Sequence, residues 1–173
     1  MPTLVKTASA INANSYADEN DGDDYMETRL HTDNWDDATS DEREFALMWA
    51  TRLLDTLCAW DGKKATDTQA LRWPRSFIWD PDGDAVLNTV IPQFLIDATC
   101  EYALHLIGSD RTQTFDPELS AFNKLVIGPL EMEMSNPSKG QITKVSMIPE
   151  SVWILVRRYC SRIGLGQKTT VRI

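Results

Sequence analysis

Long hydrophobic runs, paired cysteines and an excess of positive charge are all missing from this chain of 173 residues. No uncharged stretch reaches the ~20 apolar residues that a membrane-spanning helix needs, so we expect no membrane span. The first residues lack the apolar core of a secretory signal, which predicts an intracellular protein. The three cysteines are widely separated, and we expect buried thiols within helices rather than metal ligands or disulfides.

Motifs for nucleotide binding and catalysis are also missing. The chain has no glycine-rich phosphate loop and no nucleophile elbow. The spacing of a calcium loop fails around both Gly22 and Gly83, and His31 and His105 belong to no local metal-binding pattern. We therefore predict no cofactor, no metal and no enzymatic activity.

The charged residues give the chain an acidic and a basic end. The net charge is −9, and residues 18–44 hold twelve acids against Arg29 and Arg43. Residues 139–173 hold seven bases against Glu150. This overall charge is unfavourable for coating nucleic acid, because such binding relies on Lys and Arg that neutralise phosphates. The opposed ends suit association with copies of the chain or with a charged partner, and plain solvated surfaces explain them equally well.

Apolar periodicity predicts a mainly α protein, a helical-bundle domain with a small β-hairpin and extended N- and C-terminal segments. Thr39 and Glu42 form a capping-box pattern ahead of the strongest helix. Proline is expected to open the other two long helices, because it suits the first helical position. Three long helices are predicted, near residues 40–60, 92–107 and 150–162, and a shorter acidic one follows Ser15 and ends near His31.

The β-hairpin is predicted between residues 124 and 147. Its first strand is broken by Gly128-Pro129 and is expected to pair with Gln141–Met147 across a turn.

Three parts of the chain are distinguished by composition: residues 1–15 are an N-terminal arm, residues 16–164 a single α-rich domain, and residues 165–173 a C-terminal tail. Neither end carries enough apolar surface to offset its ordering entropy. We therefore expect both ends to order only on partners.

A long loop is predicted over residues 61–90, either kept for function or packed down by its own aromatic residues. Trp49 and Trp153 lie on apolar helical faces, so they are expected in the core. The other tryptophans lie in or beside loops, some of them near Arg72 and Arg75. They can stack on nucleic-acid bases, anchor a protein interface, or form a small core beneath the loop. These four are Trp35, Trp60, Trp73 and Trp79.

A series of short segments between about residues 12 and 160 is distinctive in its order and spacing. It comprises Asn12–Asp18, Trp35, Ala50–Asp55, Trp60, Gly62, Ala70–Arg75, Ile91-Pro92, Ala98–Glu101 and Val126–Glu131. This series resembles a family of small tailed-bacteriophage proteins. Members are labelled either head-to-tail connector (adaptor) or DnaT-like single-stranded-DNA-binding protein.

The connector label implies a structural virion protein that forms a ring, twelve copies in the usual case, beneath the portal of the capsid. Its partners would be itself, the portal protein and tail or other neck proteins, with the passing genome contacted weakly at most. It would be assembled in the host cytoplasm and located in the neck of the virion. A ring needs a head-to-tail interface, which the opposed charges suit. We favour this function, with single-stranded-DNA binding as the alternative and a host-cell regulatory protein as a third possibility.

Two groups of residues are candidates for the partner or ring interface. Arg72, Trp73 and Arg75 form the first group, and they would contact DNA if the alternative holds. The second group lies in the tail, whose alternating pattern suits addition as an edge strand to a neighbouring subunit or to the portal. Its members are Lys168, Thr169, Val171, Arg172 and Ile173.

Overall fold

The structure, a computed structural model, describes residues 3–110 and 146–163 with their side chains, and the backbone of residues 124–127 and 130–133. The chain divides into two compact units, one comprising Met1–Ser109 and Ile148–Ile173 and the other Asp110–Met147. Within the described residues the helices are α1 (Glu19–Glu27), α2 (Asp33–Asp36), α3 (Ser40–Leu57), α4 (Gln93–Gly108) and α5 (Glu150–Val156), and the strands are β1 (Cys58–Trp60), β2 (Lys63–Lys64), β3 (Arg75–Ser76), β4 (Lys124–Ile127), β5 (Leu130–Glu133) and β6 (Cys160–Arg162).

Helix α4 is the centre of the first unit. It packs against α3 and α5, and α1 and α2 also contact it. Its residues from Ala98 to Leu104 are all buried, so every face of its middle turns is covered. Helices that are apolar all round belong in a core, whereas α3 buries one broad face. The mainly α class agrees with the sequence prediction.

Side-chain caps fix where the helices begin. The predicted capping box is confirmed: the amide of Glu42 donates to the Thr39 hydroxyl, and the Glu42 carboxylate accepts from the Thr39 amide. Helix α1 begins after Asp18 rather than Ser15, because Asp18 and Asp21 make the same reciprocal pair of bonds. An aspartate is as good a cap as a serine, and the second acid completes the box.

Helices α3 and α5 both end earlier than predicted, because the chain beyond each of them forms a strand. Strands β1 and β6 pair antiparallel, with Trp60 opposite Cys160. Burial alternates along β1, a period of two that suits a strand and not a helix. Cys58 and Cys160 therefore lie in strands, so their predicted helical placement is wrong. The prediction of buried free thiols is confirmed for all three cysteines.

The predicted long loop is largely irregular, and it carries the short antiparallel pair β2–β3. Its Trp73 is fully buried and meets three aromatic rings edge to face, those of Trp60, Phe94 and Tyr159, with ring centres 5.4–6.4 Å away. The small core beneath the loop is therefore the correct interpretation for Trp60 and Trp73.

The second unit contains an antiparallel hairpin whose pairing differs from the prediction. Strand β4 pairs with β5, and Ile127 lies opposite Leu130. In the sequence, the paired strands therefore flank Gly128-Pro129. A connection of two residues is enough to join antiparallel strands. Gln141–Met147, the predicted partner, lies mostly outside the described residues.

The described part of the N-terminal arm is held by the first unit, contrary to the expectation that it orders only on partners. The amide of Ala70, in the long loop, donates to the carbonyl of Ala10 in the arm at 3.1 Å. The ammonium of Lys6 contacts the Asp21 carboxylate at 2.6 Å. Polar contacts of this kind supply the attachment that the arm's small apolar surface lacks.

Other predictions concern the tail and the membrane. Residues 165–173 lie outside the described residues, so the interface expected there stays a prediction. None of the helices described is both long and apolar enough to cross a membrane.

Candidate functional site

Two of the three loop residues predicted to meet a partner are buried. Trp73 is fully covered, so no nucleobase can reach its ring. The guanidinium of Arg75 donates to the backbone carbonyls of Asp61 at 2.5 Å, Gly62 at 2.7 Å and Arg72 at 3.0 Å. Burial lowers the pKa of Arg75. Both side chains hold the loop together, and the prediction that they form a binding surface is wrong.

Arg72 is the exposed member of that trio. Its backbone amide donates to the Asp55 carboxylate at 3.0 Å, which fixes the loop against α3 while the side chain stays in solvent. Arg72 therefore lies on the rim of a surface groove.

This groove has a volume of about 690 Å³ and runs between one side of α3 and the loop around Arg72. The N-terminal segment forms part of its wall. We call it the α3 groove, and its lining residues are Ala13, Asn14, Phe45, Met48, Trp49, Thr51, Arg52, Asp55, Thr56, Ala70, Leu71 and Arg72.

Phe45 and Trp49 give the α3 groove an aromatic surface. Their side chains are 40% and 38% exposed, so the expectation that Trp49 is a core residue is wrong. The guanidinium of Arg52 lies 5.2 Å from the centre of the Trp49 ring, a cation–π contact. These positions follow one another by four and three residues, so they form a line along α3.

The sequence contains a signal for this line of exposed aromatic residues. Helix α3 has more apolar positions than one buried face needs, and its covered face is formed mainly by residues 46, 47, 50, 53, 54 and 57. The aromatic residues at 45 and 49 lie outside that face, beside an arginine.

The floor of the α3 groove is built around Asp55. Its carboxylate accepts hydrogen bonds from the Tyr16 hydroxyl at 2.5 Å and from the Arg72 amide. The same hydroxyl accepts from the Trp73 amide at 3.2 Å. Burial raises the pKa of Asp55, although these hydrogen bonds act in the opposite direction. This network fixes α3, the N-terminal segment and the loop in one arrangement.

A second polar cluster surrounds the buried carboxylate of Glu101 on α4. Arg29 donates to both of its oxygens, at 2.5 and 2.8 Å, and Tyr25 donates at 3.1 Å. Burial would raise the pKa of Glu101, but hydrogen bonds from His105, Arg29 and Ser151 outweigh it and hold the pKa well below its usual range. The cluster joins α1, α4 and α5.

Ser151, His105 and Glu101 superficially suggest a catalytic triad. The Ser151 hydroxyl lies 3.0 Å from Nε2 of His105, and the Glu101 carboxylate lies 3.4 Å from the same nitrogen. In a triad the acid and the nucleophile contact opposite nitrogens of the imidazole, so that a proton can pass between them. Here they share one, and the arrangement is structural.

The described residues contain no group of three or more His, Cys, Asp or Glu side chains placed to hold a metal ion. His105 lies in the cluster around Glu101, and His31 is exposed at a positive φ of 63°. The two histidines are therefore in separate surroundings.

Neither the comparison with curated proteins nor that with solved structures gives a match. A family model, by contrast, covers residues 1–172. Its description is Putative DnaT-like ssDNA binding protein, which agrees with one of the two labels that the resemblance carries and does not mention connectors. Because the model matches almost the whole length of the chain, the chain belongs to the family that this description names.

Proposed function

We propose that the protein binds single-stranded DNA in the α3 groove. The observation that carries this proposal is the line of Phe45, Trp49 and Arg52 along α3, facing Arg72 across the groove. Proteins that bind single strands combine aromatic rings, on which bases stack, with cations that meet the phosphates. Each stacked base contributes about 1–3 kcal/mol.

The negative net charge is compatible with this site because the charges are unevenly placed. The groove is lined by two arginines and one acid, Asp55, whose carboxylate accepts bonds from Tyr16 and the Arg72 amide. Acids of the region 18–44 are partly neutralised elsewhere, since Arg43 contacts both Glu19 and Asp23. Phosphates in the groove therefore meet a local positive charge.

The same geometry favours single strands over duplexes. Stacking on Phe45 or Trp49 requires a base whose face is free, and in a duplex both faces are covered by neighbouring base pairs. We therefore expect an unpaired oligonucleotide to bind and the matching duplex to compete weakly.

The test is fluorescence anisotropy of a labelled single-stranded oligonucleotide titrated with the full chain and its variants. Trp49→Ala removes a stacking platform, and we expect affinity to fall at least fivefold, the low end of one lost stacking contact. Arg52→Ala and Arg72→Ala each remove a phosphate-facing cation, and the double variant is expected to bind more weakly than either.

Matched controls separate the groove from general surface effects. Trp79→Ala removes a tryptophan that is more exposed than Trp49, and Arg157→Ala removes an exposed arginine, both outside the groove. Both should bind the oligonucleotide as the unsubstituted chain does. If the controls weaken binding as much as the groove variants, or if the unsubstituted chain fails to bind at low salt, the proposal is wrong.

The connector function stays a prediction. A ring of copies beneath the portal of the virion neck, and contacts to portal or tail proteins, would be seen by native mass spectrometry of the chain mixed with portal protein. A stable multi-subunit ring would support that function, whereas a portal that captures no copies would count against it.

A further inference from the structure

A short two-stranded ribbon precedes α4 in the long loop. Trp79 lies opposite Ala85 in an antiparallel bridge, and the Val86 amide donates to the Ile78 carbonyl at 2.9 Å. Side chains alternate between the two faces of such a ribbon. Trp79 and Ala85 lie opposite each other and share one face, and Phe77 and Leu87, two residues away along the chain on either side, are also exposed. We call these four residues the outer row.

This outer row is apolar and strongly exposed. Phe77 is 71% exposed, Trp79 55% and Leu87 66%. The inner face is also apolar, and its Ile78 is buried in the interior of the first unit. An antiparallel ribbon with one face in water normally carries polar residues on that face. Because this ribbon is apolar on both faces, its exposed outer row is a second apolar surface that a partner can bury.

Hydrogen bonds fix the turn that connects the two strands of the ribbon. The Asp80 carboxylate accepts from the amides of Asp82 and Asp84, both at 2.9 Å, and the Asp80 amide donates to the Asp84 carbonyl. Arg158, beyond α5, donates to the Asp80 carbonyl at 2.9 Å. The outer row is therefore presented in one orientation.

Phe77 has a left-handed backbone, with φ of 63°. Bulky side chains rarely adopt this conformation, and it persists only where the surroundings impose it. Pairing of Ser76 with Lys63, and the bond from the Asn88 amide group to the Ser76 hydroxyl at 3.0 Å, hold the preceding residue in place. The fold thus keeps a strained phenylalanine exposed, which is typical of a binding residue.

We propose that the outer row of this ribbon binds the same row of a second copy of the chain, about a two-fold axis. The charges favour this occupant. The turn carries Asp82 and Asp84, and Lys63 lies at the other end of the ribbon, opposite Ser76. A two-fold contact with the ribbons antiparallel places the acidic turn of each copy beside the Lys63 of the other.

The size of the contact sets its strength. A stable interface buries roughly 800 Å² on each partner, and one large aromatic side chain supplies about 150–250 Å². Two aromatic residues, a leucine and an alanine reach only part of that area. The dimer is therefore reversible and dependent on concentration.

Sedimentation velocity of the full chain at increasing concentration tests the contact. The unsubstituted chain should shift from monomer to dimer, and Trp79→Ser should remain monomeric over the same range. Phe77→Gly is diagnostic, because it should weaken the dimer while raising the Tm of the monomer, glycine being unstrained at this φ. Leu30→Ser, which removes a comparably exposed side chain outside the ribbon, should dimerise as the unsubstituted chain does.

A cysteine within the outer row tests the contact by cross-linking. Ala85→Cys should form a covalent dimer when a disulfide reagent such as oxidised glutathione accepts the electrons, whereas Asn20→Cys, exposed on α1, should not. The three native thiols are buried and contribute little background. A chain that stays monomeric at every concentration, or ribbon variants that associate as the unsubstituted chain does, would overturn the proposal.

Discussion

The packing of Trp35, a residue of α2, requires glycine at position 22 in α1. Gly22 lies in the middle of α1, where glycine is costly, and a side chain there would overlap the ring of Trp35. Trp35 is buried, donates to Asp23 at 2.9 Å and lies beneath the guanidinium of Arg43. The ring of Trp35 thus packs in the space that a side chain at position 22 would occupy.

Gly22→Ala is therefore expected to destabilise the protein, although alanine is the better helix former by about 1 kcal/mol. Overpacking against a fixed ring costs about 1–3 kcal/mol, so the net effect is a lower Tm. Thermal unfolding followed by circular dichroism measures it. Asn20→Ala, exposed on the same helix, is the control and should leave the Tm unchanged or slightly raised. A more stable Gly22→Ala variant would show that the ring moves freely.

Glu101 makes stability depend on pH. Its pKa is held below the usual value of about 4.3, so the folded state binds its proton less readily than the unfolded state. This contribution is complete above the unfolded pKa and is lost as the pH falls toward the folded one. We expect the Tm to decline below about pH 5 and to keep falling in more acidic buffer.

Glu101→Gln should remove this contribution to the pH dependence and lower stability near neutral pH by about 2 kcal/mol, because Arg29 loses a charged hydrogen-bond partner in a partly buried pair. Calorimetry of both proteins across the acid range measures the difference. Glu27→Gln, exposed on α1, is the control. Parallel curves for the unsubstituted chain and Glu101→Gln would contradict the assignment.

Among the elements, β1 and β6 close the first unit by joining the chain after α3 to the chain after α5. Ser161→Pro places a residue without an amide hydrogen opposite Ala59, in the middle of this ladder. We expect a loss on the order of 1–3 kcal/mol, measured by chemical unfolding. Ser161→Thr keeps the donor and should unfold like the unsubstituted chain. Equal midpoints for the two variants would mean that the pairing contributes nothing.

These elements also show what the sequence can predict. The capping box at Thr39 and the core of α4 were predictable because caps and periodicity are local patterns. The β1–β6 pair was not, since its stability comes from a partner far along the chain. Trp49 was expected in the core because an apolar stripe normally faces inward. Which side of a wide stripe is buried depends on the neighbouring helix, and no local pattern records it.

For the molecule as a whole, the small number of cations in the α3 groove should limit how strongly salt affects DNA binding. Among the residues that the structure describes, two arginines line the α3 groove, so about two phosphates are neutralised when a strand binds. The logarithm of the affinity should then fall with the logarithm of salt concentration with a slope of about −1.4. Anisotropy titrations at several salt concentrations measure the slope. A slope several times steeper would place the binding surface on another, more basic part of the chain.

The different exposure of the six tryptophans allows both binding events to be followed by quenching of the protein's own fluorescence. Trp35, Trp60 and Trp73 are buried and closed to quenchers in solution, Trp153 is half-buried beneath the guanidinium of Arg162, and Trp49 and Trp79 are open to quenchers. Trp49 lies beneath an arginine, and Trp79 adjoins the acidic turn of the ribbon. Iodide is therefore drawn to the first emitter and caesium to the second. Trp153 lies outside both surfaces and gives a constant background, so a loss of iodide quenching would report a strand entering the groove, and a loss of caesium quenching would report two chains meeting, in one unlabelled sample.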